Sequence, residues 1–475
     1  MSRLHALSVV SPAVLSTFLT ALDGSIVNVA LPQIRRELSL SETDLKWVAT
    51  AYPLTLASLL LMAGQLTDTK GRRWALLTGV ATFTVASVCC ALSATGMMLV
   101  CSRALQGAGA AFILPSSLAI MSRDVPRRAR TAAFGATSAT MASALAFGPV
   151  ISGVVTQHLG WEWLFALNIP LGLAGFVIGA AVIPGARRRS RDERRQSAAV
   201  VPHYMITLAC LSLAALAYFL IQGPSYGFTK PSVMLSGIAG GTGLLTLYGV
   251  RRPERSPALV MLLRQRAFAG GVVTQLLWGL GVSGVYFYTS QFLQNSLQLS
   301  PTEAGLTFTP VVCALFVTVP FVGALARRWG DARIASSGLV LVAAGLLLVA
   351  LGSHKGGLVD LLPGLAAVGA GSALALPLTT RALGASPDNL SGFAAGLFSA
   401  ARELSGVFGI VLVGAVVTFV QNSIATRGTT DAQAFATGYQ AGLCVAAALV
   451  GAGVPVALWA LRCSPQVMRN TPIDS

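Results

Sequence analysis

Apolar runs of about twenty residues, separated by short polar stretches, repeat along the chain from residue 9 to residue 461. A helix rises about 1.5 Å per residue, so roughly 20 apolar residues cross a hydrocarbon core of about 30 Å with every backbone amide satisfied internally. The runs predict spans at 9–31, 45–66, 74–94, 98–121, 131–156, 163–183, 203–222, 231–250, 267–290, 304–326, 333–352, 360–380, 392–420 and 436–461. The expected fold class is an all-α membrane protein of about 14 transmembrane helices. The first run carries an internal Asp and lacks a small-x-small cleavage site, so it reads as a retained span and not a signal peptide.

Composition agrees with that pattern. The chain is 54% hydrophobic and 11% charged, too apolar for a soluble globular protein. Its net charge of +16 would suit nucleic acid in a soluble chain. With both termini in the cytoplasm, however, most of the basic residues fall in loops of one side. They include Lys70, Arg72, Arg73, the run Arg123 to Arg130 and the linker GARRRSRDERRQ after Pro184. The positive-inside rule accounts for this charge, so lipid and not nucleic acid is the expected partner. A bacterial plasma membrane is the expected location, since Arg far outnumbers Lys as in GC-rich genomes. The seven cysteines show no CxxC or paired spacing and read as small hydrophobes, with no metal site expected.

The chain also repeats itself. GAGAAFILP (Gly107 to Pro115) returns as GAGSALALP (Gly369 to Pro377), and GQLTDTKGRR (Gly64 to Arg73) as a degenerate GALARRWGDAR from Gly323. The offsets are nearly equal. Two six-helix halves are therefore expected, 1–184 and 267–462, flanking a basic linker with two additional helices at 185–266 and followed by a cytoplasmic tail at 463–475. Such halves suit alternating access, with substrate between them near the midplane.

Charges inside spans are expensive and mark function by default. Asp23 and Arg103 lie roughly 13 and 10 Å from the outer face at about 1.5 Å per residue, so they are placed to pair. Such a pair suits a proton-coupled switch, because desolvation and a nearby cation push a carboxylate in opposite directions; a static ion pair is the alternative. Arg402 and Glu403 fall near the middle of the thirteenth span, about 100° apart on the helix, which predicts that they face different directions. In the loop GQLTDTKGRR, Gly64 and Gly71 allow close approach and a tight turn. Asp68 can accept from a helix N-terminus, and Arg72 can pair with Asp124 to latch one conformation. Arg327 and Asp331 stand in the second copy where Asp68 and Arg72 stand in the first, inverting the pattern. The fifth span carries a small-residue track of Gly135, Ala144, Gly148, Pro149, Ser152 and Gly153, suited to close helix packing and a kink.

In order along the chain, LDGSIVNVALP (Leu22 to Pro32), GQLTDTKGRR, RALQGAGAA (Arg103 to Ala111), the fifth-span track, WEWLFALNIPLG (Trp161 to Gly172), QFLQNSLQLSPTEAGL (Gln291 to Leu306) and SAARELSGVFG (Ser399 to Gly409) together resemble the major facilitator superfamily. The resemblance is to its fourteen-span drug:proton antiporters and covers essentially the whole length. Ala144 and Ser152 stand where glycines are usual, Glu162 where Arg is common and Glu403 where Gln is frequent.

The resemblance implies export of a hydrophobic or amphipathic drug or secondary metabolite in exchange for protons. The proton gradient would be the only energy source, and no cofactor is implied. It assigns proton coupling to Asp23 and Arg103, a conformational latch to Gly64, Asp68, Gly71, Arg72 and Asp124, and antiporter-motif packing to Gly135, Gly148, Pro149 and Gly153. Asn28, Gln275, Trp278, Arg402 and Glu403 are the expected substrate-cavity residues, with Tyr286 and Tyr288 either there or anchoring the membrane interface. The tenth span lacks the carboxylate that some multidrug relatives carry there, which favours a neutral, weakly charged or anionic substrate. A monomer is expected. A proton-coupled importer of a small organic solute with the same fold is the alternative. No HExxH, GxSxG or clustered His/Asp constellation suggests an enzyme.

Overall fold

The computed structural model describes residues 3–125, 127–184, 203–249, 257–355, 357–387, 390–425 and 431–461. The basic linker and the tail from 463 onward lie outside the described residues. Helices account for nearly all of the described chain, and no strand occurs among these residues. The first six spans are α1 (Arg3–Glu37), α2 (Glu42–Lys70), α3 (Arg72–Ala91), α4 (Gly96–Arg123), α5 (Arg127–His158) and the broken pair α6 (Glu162–Ala166) and α7 (Asn168–Val182). Two middle helices follow, α8 (His203–Tyr226) and α9 (Pro231–Gly249), then a short α10 (Pro257–Arg264). The last six spans are α11 (Arg266–Gln291) with its π-helical turn Phe292–Ser296, α12 (Pro301–Thr307) with α13 (Thr309–Trp329), α14 (Asp331–Lys355), α15 (Leu358–Leu374) with α16 (Leu376–Gly384), α17 (Ser391–Ala425) and α18 (Asp431–Leu461).

Among the described residues, twelve helices are long and apolar enough to cross a membrane. These are the first six and the last six spans. In the middle, Thr207–Gly223 of α8 is a shorter apolar helix.

Glycines set how close the helices come, and the repeated segments use them alike. A Cβ on Gly109 would stand 2.8 Å from the carbonyl oxygen of Gly79, and one on Gly371 would stand 2.6 Å from that of Gly338. Likewise a Cβ on Gly107 would collide with the Tyr52 carbonyl, and one on Gly369 with that of Val311. Backbone meets backbone at both places, so small residues draw α3, α2 and α4 together as they draw α14, α13 and α15 together.

The fifth span packs on α4 through Ala133 and Thr137, whose hydroxyl lies 3.0 Å from Met121 Sδ, and on α1 and α12 through its second half. Gly148 sits against Ser25 of α1, whose hydroxyl donates to the Ala144 carbonyl at 3.0 Å. Ser152 donates to the Ile26 carbonyl, Gly153 meets the Pro301 carbonyl, and the Pro149 carbonyl meets Gly305 of α12. The expectation for Gly135 is corrected: it is exposed, and a Cβ there would touch nothing within 4 Å. In this part of α5 Ala133 and Thr137 face α4, whereas Gly135 shares the exposed face with Ala136 and Ala139, which leaves it no surface to approach.

The middle helices are not a free appendage. Ala217 and Ile221 of α8 share a buried cluster with Leu54 of α2 and with Val407 and Val411 of α17. The Cys210 thiol donates to the Ser58 carbonyl at 2.8 Å. By contrast, α9 packs on α8 through Gly237, Gly240 and Gly243 and turns Leu235, Ile238 and Leu245 outward.

Candidate functional site: a buried carboxylate network

Asp23 is fully buried on α1, and the chain surrounds it with donors from two other spans. Arg103 of α4, only 2% exposed, donates through Nη1 to Asp23 Oδ2 and to Gln106 Oε1, the latter at 2.9 Å. Gln106, one turn along the same helix, donates through Nε2 to Asp23 Oδ1 at 3.2 Å and to Ser87 Oγ at 2.8 Å. Asn168, the first residue of α7, donates to Asp23 Oδ1 at 2.7 Å. The Cys90 thiol donates to Gln106 Oε1 at 3.3 Å. Both carboxylate oxygens are thus engaged, one by a guanidinium and one by two amides.

Aromatic faces hold the guanidinium from its sides. Its Cζ lies 4.6 Å from the Tyr52 ring centroid and 5.7 Å from that of Phe165. Tyr52 is itself fixed, since its hydroxyl donates to the Thr20 carbonyl at 3.1 Å. A buried ion pair needs such support, because desolvating two charges offsets most of their attraction unless the remaining polar atoms are bonded. Two atoms remain unpartnered here, Arg103 Nε and Asn168 Oδ1.

The geometry thus brings Asp23 and Arg103 together and adds Gln106, Asn168 and Tyr52. The sequence held a signal for the two amides, since both are polar residues within apolar spans and inside the segments RALQGAGAA and WEWLFALNIPLG.

Arg402 and Glu403 behave differently from expectation. Their side chains converge, with Arg402 Nη2 donating to Glu403 Oε1 at 3.0 Å. Adjacent Cβ atoms do diverge by about 100°, but long flexible side chains close that angle. The pair is partly exposed, Arg402 more than Glu403. Among the other expected cavity residues, Asn28 is half-buried one turn beyond Asp23, Gln275 is buried, and Trp278 is half-buried with an unpartnered indole N–H. Tyr288 is fully buried with an unpartnered hydroxyl, whereas Tyr286 stacks on Phe308 at 5.5 Å.

At the far end of α2 the loop motif closes a second cluster. Gly71 turns the chain with a left-handed φ of 102°, a conformation that disfavours side chains. Arg72 then grips Asp124 in a two-pronged pair, Nε to Oδ2 and Nη2 to Oδ1. Gly64 lies against Pro115 of α4, and Asp68 occupies the exposed last turn of α2. In the second copy Gly330 repeats the turn at φ 86°, and Asp331 pairs with Arg381 of α16. The inverted charge pattern is realised as an inverted ion pair. Arg381 was not anticipated, although it stands 50 residues from Asp331 much as Asp124 stands 52 from Arg72.

Known proteins resemble the chain over most of its length. The chain is 30% identical over 420 residues to "Multidrug resistance protein Stp" of Mycobacterium tuberculosis, covering 88% of this chain and 76% of that protein. It is 31% identical over 427 residues to the "Probable actinorhodin transporter" of Streptomyces coelicolor, covering 86% and 72% respectively. Among solved structures, an auto-inhibited POT family peptide transporter superposes with a TM-score of 0.70 at 16% identity over 98% of both chains, a likeness of fold. The family model described as Major Facilitator Superfamily matches residues 13–410 and 271–472, so the chain belongs to that superfamily of membrane transporters.

Proposed function

We propose that the protein is a proton-coupled exporter of a hydrophobic or amphipathic drug or antibiotic. In this reading it crosses the bilayer fourteen times and works by alternating access between two six-helix halves. The observation that carries the coupling is the Asp23 carboxylate, buried and held by Arg103, Gln106 and Asn168 from two further spans. Protonation would remove the charge that holds Arg103 while leaving the guanidinium its bond to Gln106 and its aromatic faces. A proton arriving at Asp23 therefore loosens α1 from α4 and α7, and its departure restores the clamp. Export is supported by relatives whose names include multidrug resistance and, in Streptomyces glaucescens, "Tetracenomycin C resistance and export protein".

The exposed outer faces of α9 suit lipid, which supports counting α8 and α9 as the seventh and eighth spans. Arg402 and Glu403 neutralise one another, so the centre offers no unopposed carboxylate to a dication. That favours neutral, weakly charged or anionic cargo.

Everted vesicles provide the test. An imposed gradient, acid inside, should drive accumulation of a fluorescent amphipathic drug by the native chain and not by Asp23→Asn, with both proteins eluting as monodisperse species. Undiminished gradient-driven accumulation by Asp23→Asn would remove Asp23 from the coupling. Accumulation that ignores the gradient would refute the antiport reading.

A further inference from the structure

The exchange of charges between the two loop motifs is incomplete, and the remainder has a chemistry of its own. Asp124 and Arg72 of the first copy become Arg381 and Asp331 in the second, a neutral exchange. The position of Asp68, however, is taken by Arg327, so the second copy carries a cation where the first carries an acid. Among the described residues no carboxylate pairs with Arg327. Its Nη1 lies back along α13, 3.6 Å from where a Cβ on Gly323 would stand, in room that the glycine leaves.

This guanidinium lines a cleft of about 550 Å³ between α13, α14 and α16, together with Gly323, Asp331, Pro377, Thr380 and Arg381. Two guanidiniums and one carboxylate leave the lining with a net charge of +1. Leu376 of the lining and Phe321 and Trp329, chain neighbours of the lining residues Val322 and Gly330, are exposed apolar side chains, 45%, 59% and 52% accessible. A cationic recess bordered by an apolar shoulder, at the level of the Arg72 loop, lies where a helix bundle meets headgroups.

We infer that this cleft binds the headgroup of an anionic phospholipid from the leaflet on the Arg72 side. Its phosphodiester sits between Arg327 and Arg381, and its acyl chains run down past Phe321 and Leu376. Asp331 holds Arg381 in place and limits the recess to one anionic group. Phosphatidylcholine fits poorly, because its own cation faces the two guanidiniums. The first copy has the carboxylate of Asp68 in place of this cation, so the two halves meet the bilayer unequally. The inference is independent of which compound is exported.

The test uses the purified full chain reconstituted in nanodiscs of phosphatidylcholine and phosphatidylglycerol, with native mass spectrometry counting the lipids retained after release. Phosphatidylglycerol should be retained selectively, and Arg327→Gln should weaken its retention about fivefold, the scale of one basic residue at a lipid surface. Arg327→Asp should weaken it further. Arg333→Gln, which removes an exposed arginine outside the cleft lining, should leave it unchanged. Equal retention by Arg327→Gln, equal loss with Arg333→Gln, or equal retention of phosphatidylcholine would overturn the inference. Displacement of phosphatidylglycerol by millimolar inorganic phosphate would also overturn it, by reassigning the cleft to free phosphate.

Discussion

At Asp23 three donors share two oxygens, and the consequences of removing each donor differ. Replacing Arg103 by Ala leaves a buried carboxylate with amide donors alone, which should destabilise the protein by about 3–5 kcal/mol. Arg103→Lys keeps the charge but not the planar guanidinium held between the Tyr52 and Phe165 rings, so it should lose less than Arg103→Ala. Asn168→Ala removes one neutral donor and should destabilise by about 1–3 kcal/mol while lowering gradient-driven transport. Thermal unfolding in detergent ranks the three variants, and a loss for Asn168→Ala as large as that for Arg103→Ala would contradict the geometry. Asp23 and Arg103 were legible because charge within an apolar span is rare. Gln106 and Asn168 are milder intrusions, and which oxygen they serve depends on how α1, α4 and α7 pack. Side-chain reach was harder still to read, since the helical angle between Arg402 and Glu403 says nothing about where their tips meet.

Helix pairs follow from where backbone approaches backbone. Gly369→Ala would drive a methyl into the Val311 carbonyl and should destabilise the protein by about 1–3 kcal/mol, seen as a lower midpoint of thermal unfolding. Gly135→Ala has open space within a helix and should raise that midpoint slightly, not lower it. The track on α5 was visible in the sequence as a row of small residues, but smallness shows only that close approach is permitted. Whether a partner is present is a property of the neighbouring helix, and α5 finds one from Ala144 to Gly153. The same distinction applies to the latches. Arg72→Asp should impair transport, and adding Asp124→Arg should recover much of it, because the second copy already holds the reversed pair at Asp331 and Arg381. Transport assays on the single and double variants decide this, and no recovery would argue against a latch made by that pair.

Over the whole chain, span lengths and the two repeated segments were enough to read an all-helical transporter, because both arise from local physics: hydrocarbon thickness and glycine spacing. The placement of α8 and α9 was not readable, since apolar helices in lipid have many surfaces against which to pack. If both cross the bilayer, the turn between them faces outward. Thr229→Cys in a background without native cysteines should then react with an impermeant maleimide in intact cells, and protection until lysis would place that turn inside. The buried cluster that joins α8 to both α2 and α17 has a mechanical meaning as well. If the two halves rock as proposed, a helix seated on both α2 and α17 acts as the spine of a book. Separating α2 from α17 would shear α8 away from one of them, whereas among the described residues the α5 edge with α12 and α13 has no helix buried in the same way. Under the proposed alternating access, opening would then favour the edge away from α8, and a molecule dissolved in the bilayer would find its side door beside α5.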